Sequence, residues 1–258
     1  MMTEEQRFLF DVQGYLVIPN ALEPERVQRM MAEMDARSID PPEDKSDDYR
    51  FGDFLRWSDD YRYLIDHPQV LPILAEMLGP KLRLDHAYGM AARSGRDATA
   101  RSDGNSLHHR AGLFEHGCYY VTHGPMMHNG LVVVSYSLTD IAPGSGGFCC
   151  IPGSHKASFK MPDHLYQIDD NPLVRQIPQR AGDAVIFTEA LTHGTWPWTD
   201  PNAQRRSVLM KYCPHYMQWA KGPMNSSFDG LTERQQLLLQ GAFVWQRPVV
   251  MVDEVIAG

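Results

Sequence analysis

Residues 106–118 read SLHHRAGLFEHGC, which places three histidines, a carboxylate and a thiol within thirteen positions. Imidazole, carboxylate and thiolate are the groups that hold transition metals, so this stretch is a candidate metal site. A second candidate lies downstream in GDAVIFTEALTHGTWPWTDPNAQRRS. On a strand beginning near Ala184, residues 189, 191 and 193 share one face, which sends Glu189 and His193 toward one interior. A carboxylate in an apolar strand is costly unless it is paired, hydrogen-bonded or bound to a metal. Arg205 follows His193 by twelve residues and opens the run RRSVLMKY. An arginine there could enter the same cavity and grip a carboxylate through two parallel hydrogen bonds. Adjacent strand residues point opposite ways, so one of Arg205 and Arg206 turns in and the other out.

The surrounding pattern shows what must position these groups. Tyr15–Ile18 is a short apolar run between Gly14 and Pro19, a strand bounded by breakers. Val27, Met30, Met31 and Met34 then recur at i, i+3, i+4 and i+7, one face of a helix. The Asp-rich segment SIDPPEDKSDDYRFGD reads as a surface loop. HPQVLPILAEMLGP is a second helix, stopped by Gly79-Pro80. KLRLDHAYGM alternates Leu82, Leu84, His86 and Tyr88 against other residues, the period of a half-buried strand. To about residue 215 the chain is short apolar runs separated by Gly and Pro, which predicts a sandwich or barrel. Thr232 and Gln235 form a capping box that opens a late helix.

No repeat or linker divides the chain, so residues 1–258 read as one domain with N-terminal helices and a late C-terminal helix. At 43% hydrophobic residues the sequence can bury a sizeable core. A formal charge of -8 argues against a nucleic-acid or anionic-membrane partner, while local arginines still permit an anionic small molecule. Cys118, Cys149, Cys150 and Cys213 form no CxxC pair and read as reduced core residues. MMTEEQRFLF lacks the basic start and apolar run of a signal peptide, and no stretch approaches a membrane-spanning length. A cytoplasmic protein is the expectation, and nothing in the sequence specifies an oligomeric state.

Four features in order carry a family resemblance. They are FDVQGYLVIP near the start, LG after the second helix, SYSLTDIAPGSGGFCCIPGSHK in the middle, and Gly182-Asp183, His193 and Arg205 as GD…H…R. Together they resemble the phytanoyl-CoA dioxygenase family of non-haem iron, 2-oxoglutarate-dependent oxygenases, from about Phe10 to Tyr212. The resemblance implies a mainly β fold, a double-stranded β-helix (jelly-roll, cupin-like) core with flanking α-helices. It implies Fe(II) held by a His-x-Asp/Glu pair and one later histidine, with positions open for 2-oxoglutarate and O2. By residue match His193 is the later histidine, Arg205 the clamp on the distal carboxylate of 2-oxoglutarate, and Thr195 a hydroxyl that assists it. His155, in PGSHK, matches a family histidine that is usually not a ligand. It is expected either to contact substrate at the pocket mouth or to fasten its loop by hydrogen bonds. Asp140 and Asp183 read as turn residues bonding nearby backbone. The implied reaction is hydroxylation of an unactivated C–H bond of a small-molecule substrate.

The sequence departs from that pattern at one point. No His-x-Asp or His-x-Glu occurs anywhere in it: His108 is followed at the second position by Arg110, and His109 by Ala111. Four arrangements stay open. The carboxylate comes from elsewhere, with Glu189 first and Asp103 or Glu115 behind it. Alternatively, two histidines alone hold the iron and leave a place for halide, as in related halogenases, a form that His109-Arg110-Ala111 fits. A third possibility is a non-catalytic jelly-roll binding protein that has lost its metal, and a fourth takes a third ligand from His116, His123 or His128. A neutral two-histidine site binds Fe(II) weakly, which favours the first arrangement with His108, His193 and Glu189. His108 is preferred to His109 from Leu107 and the register of the family's strand. The aromatic and methionine residues of HGCYYVTHGPMMHNG are further candidates for a pocket lining.

Overall fold

The computed structural model describes residues 1–39, 49–94, 107–108, 112, 115–224, 226 and 228–250. Helix α1 (Glu4–Gln13) opens on a reciprocal cap between Thr3 and Gln6 and ends at Gly14, whose φ of 83° suits glycine. Strand β1 (Tyr15–Ile18) follows it directly. Helix α2 (Pro24–Ala36) has proline in its first turn and buries Val27, Met30 and Met34, with Met31 half-buried beside them. Next come β2 (Tyr49–Phe51), the single-turn α3 (Asp59–Arg62) and α4 (Leu71–Leu78). The strands that build the body are β3 (Arg83–Ala92), β4 (Tyr120–His123), β5 (Met126–Asn129), β6 (Val132–Ser137) and β7 (Gly147–Cys150). They continue with β8 (Arg175–Gln176), β9 (Ala184–Thr188), β10 (His193–Trp196) and β11 (Arg205–Cys213). Helix α5 (Glu233–Leu238) starts from the Thr232–Gln235 capping box.

Six strands form the larger sheet in the order β1-β9-β6-β11-β3-β2, and three form a smaller one in the order β10-β7-β8. Every pairing between them is antiparallel, the two-sheet arrangement of a jelly roll. Strand β6 is buried on both faces, and its alternation divides the interior. Val132, Val134 and Tyr136 join Ile186, Val208, Met210 and Tyr212 in a core with Met30, Met34 and Leu74 of the helices. Val133 turns the other way and meets Val185, Phe187 and Leu191, with Phe148 and Cys150 of the smaller sheet and Ile177 just after it. At roughly 1.5–3 kcal/mol for each fully buried Val, Ile or Phe, these two faces hold the helices and the smaller sheet to one scaffold.

Two local departures from the sequence pattern matter for the site. The apolar stretch from Ala184 does not run as one strand to His193: β9 stops at Thr188, and a turn carries the chain to β10 in the other sheet. Thr188 O accepts from Leu191 N at 3.0 Å, and that bond closes the corner. Nor do Leu84 and His86 share a face. His86 pairs with Lys211 and Leu84 with Tyr212, so Asp85 is an extra residue in β3, a β-bulge. Such a bulge re-aims the side chains on either side of it. Leu84 goes to the helix-covered core with Tyr212, while His86 and Tyr88 face the space between the sheets.

All four cysteines are buried and none is in a disulfide. Burial pushes the Cys149 and Cys213 thiols up to about 12, which keeps them protonated and unsuited to metal ligation. Asp183 accepts from Arg180 N within its own turn and from Asn20 N, as anticipated, whereas Asp140 bonds not its own turn but Ala181 N, in the turn before β9. Among the described residues no helix is long and apolar enough to cross a membrane.

Candidate active site

The inward residues of β11, namely Arg205, Ser207, Leu209 and Lys211, line a cavity of about 490 Å³ between the sheets. That volume suits a small-molecule site. Cross-strand register supplies the rest of the larger wall. Leu209 stands opposite Tyr88 and Ser135, and Lys211 opposite His86 and Val133. The other wall brings His193, Gly194 and Thr195 of β10 with Phe148 of β7. Arg50, Met90, His108, Glu115, Tyr166, Phe187, Glu189 and Trp219 complete the lining.

His193 is held in one orientation. Its Nδ1 lies 2.7 Å from Leu191 O, and a carbonyl can only accept, so Nδ1 carries the proton. In the neutral ring that leaves Nε2 as the nitrogen that carries the lone pair, the tautomer a metal ligand needs. Phe187 packs on the imidazole at 4.8 Å between ring centres. His108 stands directly opposite: its amide donates to His193 O at 2.6 Å, and His193 N donates to His108 O at 3.2 Å. Residues paired in this way project to the same side of a sheet, and the two rings are 5.6 Å apart.

Glu189 sits in the corner after β9, buried, with Oε1 3.8 Å from His193 Nε2. Both its oxygens also accept from Lys211 Nζ, at 3.1 and 3.2 Å. Glu189 and His193 thus approach each other through a turn between sheets, whereas one strand face was expected. Among the described residues no group of three or more His, Cys, Asp or Glu side chains is placed so that it could hold a metal ion as it stands. The donors nevertheless fit a metal in kind: an oriented imidazole nitrogen, a second imidazole on the same side and a carboxylate beside the first.

Arg205 and Arg206 divide as strand alternation predicts. Arg205 lines the cavity, while Arg206 donates to Asp35 on α2 at 2.5 Å and to Gln204. Thr195, opposite Phe148 in the smaller sheet, also lines the cavity. His155 does not. Its Nε2 lies 3.2 Å from Asp11 O on α1, its ring packs against Phe10 and Tyr120, and it is buried. A Cβ on Gly14 would come within 2.6 Å of its Nδ1, so glycine is needed there on both counts. The ring fastens the PGSHK loop to α1, and the expectation of substrate contact at the pocket mouth is corrected accordingly. Of the third-ligand candidates, Glu115 reaches the cavity lining, whereas His116, His123 and His128 are exposed outside it. The β4–β5 hairpin packs on α4, and its methionines and aromatics do not line the cavity. Asp103, His109, Arg110 and Ala111 lie outside the described residues.

Sequence reasoning missed His86 and the group behind it. Asp85 is fully buried and accepts from Arg83 Nη1 at 2.6 Å, His86 Nδ1 at 2.7 Å, and the amides of Trp219 and Ala220 at 2.9 Å. Burial raises its pKa, but the bonds from His86, Trp219, Ala220 and Arg83 outweigh that and hold it at about 2. The carboxylate orients His86 and pins the backbone that presents Trp219 to the cavity. The signal was present in RLDH, an Asp flanked by cations inside an apolar strand.

Comparison with known proteins adds three findings. The family model described as "Phytanoyl-CoA dioxygenase (PhyH)" matches residues 10–206. The mouse (Mus musculus) peroxisomal phytanoyl-CoA dioxygenase is 23% identical over 228 residues, which is 76% of this chain and 64% of that protein. The chain therefore spans less than two thirds of the curated relative's length. Among solved structures, HygX from Streptomyces hygroscopicus with nickel and 2-oxoglutarate bound aligns with a TM-score of 0.73 at 23% identity, covering 85% of this chain and 90% of HygX. HygX holding hygromycin B as well aligns at 0.71 and 22% identity, over 96% and 98% of the two chains. The carbocyclase SnoK from nogalamycin biosynthesis aligns at 0.60 and 20% identity, over 83% and 85%. At these identities the solved structures establish the shared fold.

Proposed function

The chain belongs to the phytanoyl-CoA dioxygenase family, and from that premise we propose that it is an iron(II)- and 2-oxoglutarate-dependent oxygenase that hydroxylates an unactivated C–H bond of a small molecule. The observation that carries this reading is the facing pair His108 and His193 in a cavity that also holds Glu189 and Arg205. His108, His193 and Glu189 would hold the metal. Bound iron supplies oxygen activation coupled to decarboxylation of 2-oxoglutarate.

The chain's own residues do the rest. The Leu191 carbonyl keeps His193 in the tautomer that presents Nε2. Arg205 grips the distal carboxylate of 2-oxoglutarate with its planar fork, and Thr195 adds a hydroxyl to the same subsite. Phe148 and Phe187, packed at 4.5 Å between ring centres, keep water from the reacting region. His86, Tyr88 and Trp219 line the part of the cavity left for substrate. HygX holds hygromycin B, which makes that compound the first small molecule to test.

The contact of Lys211 with Glu189 favours a second reading in one respect. A carboxylate retained by lysine would leave a two-histidine iron site with room for halide, and the product would then be halogenated. Anaerobic Fe(II) with 2-oxoglutarate is expected to give a weak visible charge-transfer band, and aerobic turnover to release succinate. Absence of both at saturating iron overturns the oxygenase assignment. A band that shifts with chloride selects the halogenase form.

A further inference from the structure

Lys211 faces the cavity from the larger sheet, across from His193 of the smaller one, and reaches Glu189. It stands between Val133 and His86 in the sheet, and its side chain is only 12% exposed. Its ammonium touches both oxygens of Glu189, at 3.1 and 3.2 Å, while Glu189 Oε1 is 3.8 Å from His193 Nε2. The carboxylate that faces the imidazole is thus already neutralised by a cation belonging to the chain. A buried carboxylate without a countercharge is costly, which accounts for a lysine beside Glu189.

We propose that Lys211 is a built-in competitor for the metal: its ammonium occupies Glu189 in the metal-free protein and must yield that carboxylate when a divalent cation binds, so that Lys211 sets the metal affinity of the site. The inference rests on Glu189 being a ligand, as argued above. Two effects act in the same direction. Removing the ammonium takes one countercharge from buried Glu189 before metal arrives, which raises the free energy of the empty site. It also removes a positive charge adjacent to a bound dication. Both tighten binding. Lysine suits this role because its charge sits on a flexible four-carbon stem that can withdraw from the carboxylate.

Calorimetric titration with Ni(II) alone, in the full chain, tests this without turnover. Lys211→Met is expected to bind Ni(II) at least about tenfold more tightly than the wild type, a gain of ~1.4 kcal/mol. Its Ni(II)-induced rise in unfolding midpoint should be larger as well. Lys211→Arg keeps the charge and should stay close to wild type. Glu189→Gln should weaken binding at least about tenfold, and adding Lys211→Met to it should restore less than Lys211→Met gains with Glu189 in place, because only the charge repulsion is then relieved. Should Lys211→Met fail to fold, Lys211→Gln carries the same expectation. Unchanged or weaker Ni(II) binding in the Lys211 variant, with Glu189→Gln still weakened, overturns the competitor role and leaves Glu189 a ligand. Unchanged affinity in Glu189→Gln removes Glu189 from the metal set and the inference with it.

Discussion

His108 and His193 lie directly opposite one another and exchange both backbone hydrogen bonds, so their imidazoles enter one cavity from a single fixed register. A one-residue slip of either strand would send one ring to the far face of its sheet. His193→Ala and His108→Ala are each expected to weaken Ni(II) binding by about a hundredfold or more, judged against the 10–100-fold that loss of a supporting partner costs. Calorimetry on variants with unchanged circular dichroism checks this. The same substitution at His109 serves as the comparison. If it weakened binding as much while His108→Ala did not, the ligand assignment would pass to His109.

Arg205 presents a guanidinium to the cavity from the first residue of β11. Arg205→Ala is expected to raise the dissociation constant for 2-oxoglutarate by roughly 30- to 1000-fold, the loss of a charge-assisted, two-pronged contact of about 2–4 kcal/mol. Arg205→Lys should recover part of it, since charge returns but the fork does not. Tryptophan fluorescence titrated with 2-oxoglutarate, in the presence of Ni(II), reads the effect. Equal affinities in wild type and alanine variant would place the cosubstrate elsewhere.

Asp85 gives a stability prediction with a definite sign. Its pKa falls from 3.8 to about 2 on folding, so it stabilises the fold fully above pH ~4. That contribution of about 2 kcal/mol is lost as pH drops from 4 toward 2. Asp85→Asn should be destabilised at pH 7 and should lose less over that acid window than wild type. Urea unfolding across the window measures both. The same variant should also change Trp219 fluorescence, because Trp219 N loses its carboxylate acceptor.

His155 titrates in the opposite sense of charge but with the same direction in pH. Burial lowers its pKa from 6.5 to about 4, with Lys156 adding to the shift. The unfolded chain therefore binds a proton that the folded one refuses between those values. Stability is full above pH ~6.5 and falls by about 2–3 kcal/mol as pH approaches 4. His155→Phe should flatten that slope, and an unchanged slope would show that the ring is not the titrating group.

Much of this was legible beforehand, and the failures share a cause. The strand Tyr15–Ile18, the helix face of Val27, Met30 and Met34, the cap at Thr232 and the opposed arginines are all set by local periodicity or short-range hydrogen bonds. Each could be read from a few neighbouring residues. The bulge at Asp85 could not, because an extra residue is defined only against Lys211 and Tyr212 on the partner strand. The corner after Thr188 was hidden for a related reason, since AVIFTEALTH keeps the composition of one strand across the turn. Lys211 escaped notice altogether. It is twenty-two positions from Glu189, and only the strand order β9-β6-β11 of the larger sheet brings them together.

That corner has a mechanical consequence. His193 starts the smaller sheet, Lys211 ends in the larger one, and Glu189 rides the hinge between them. The gap between the sheets is therefore also the bite of the donor set. A guest that wedges the walls apart, or draws them together, changes how the carboxylate is shared between nitrogen and ammonium before any chemistry begins. In this jelly roll, the spacing of the two sheets and the sharing of that carboxylate are one geometric quantity.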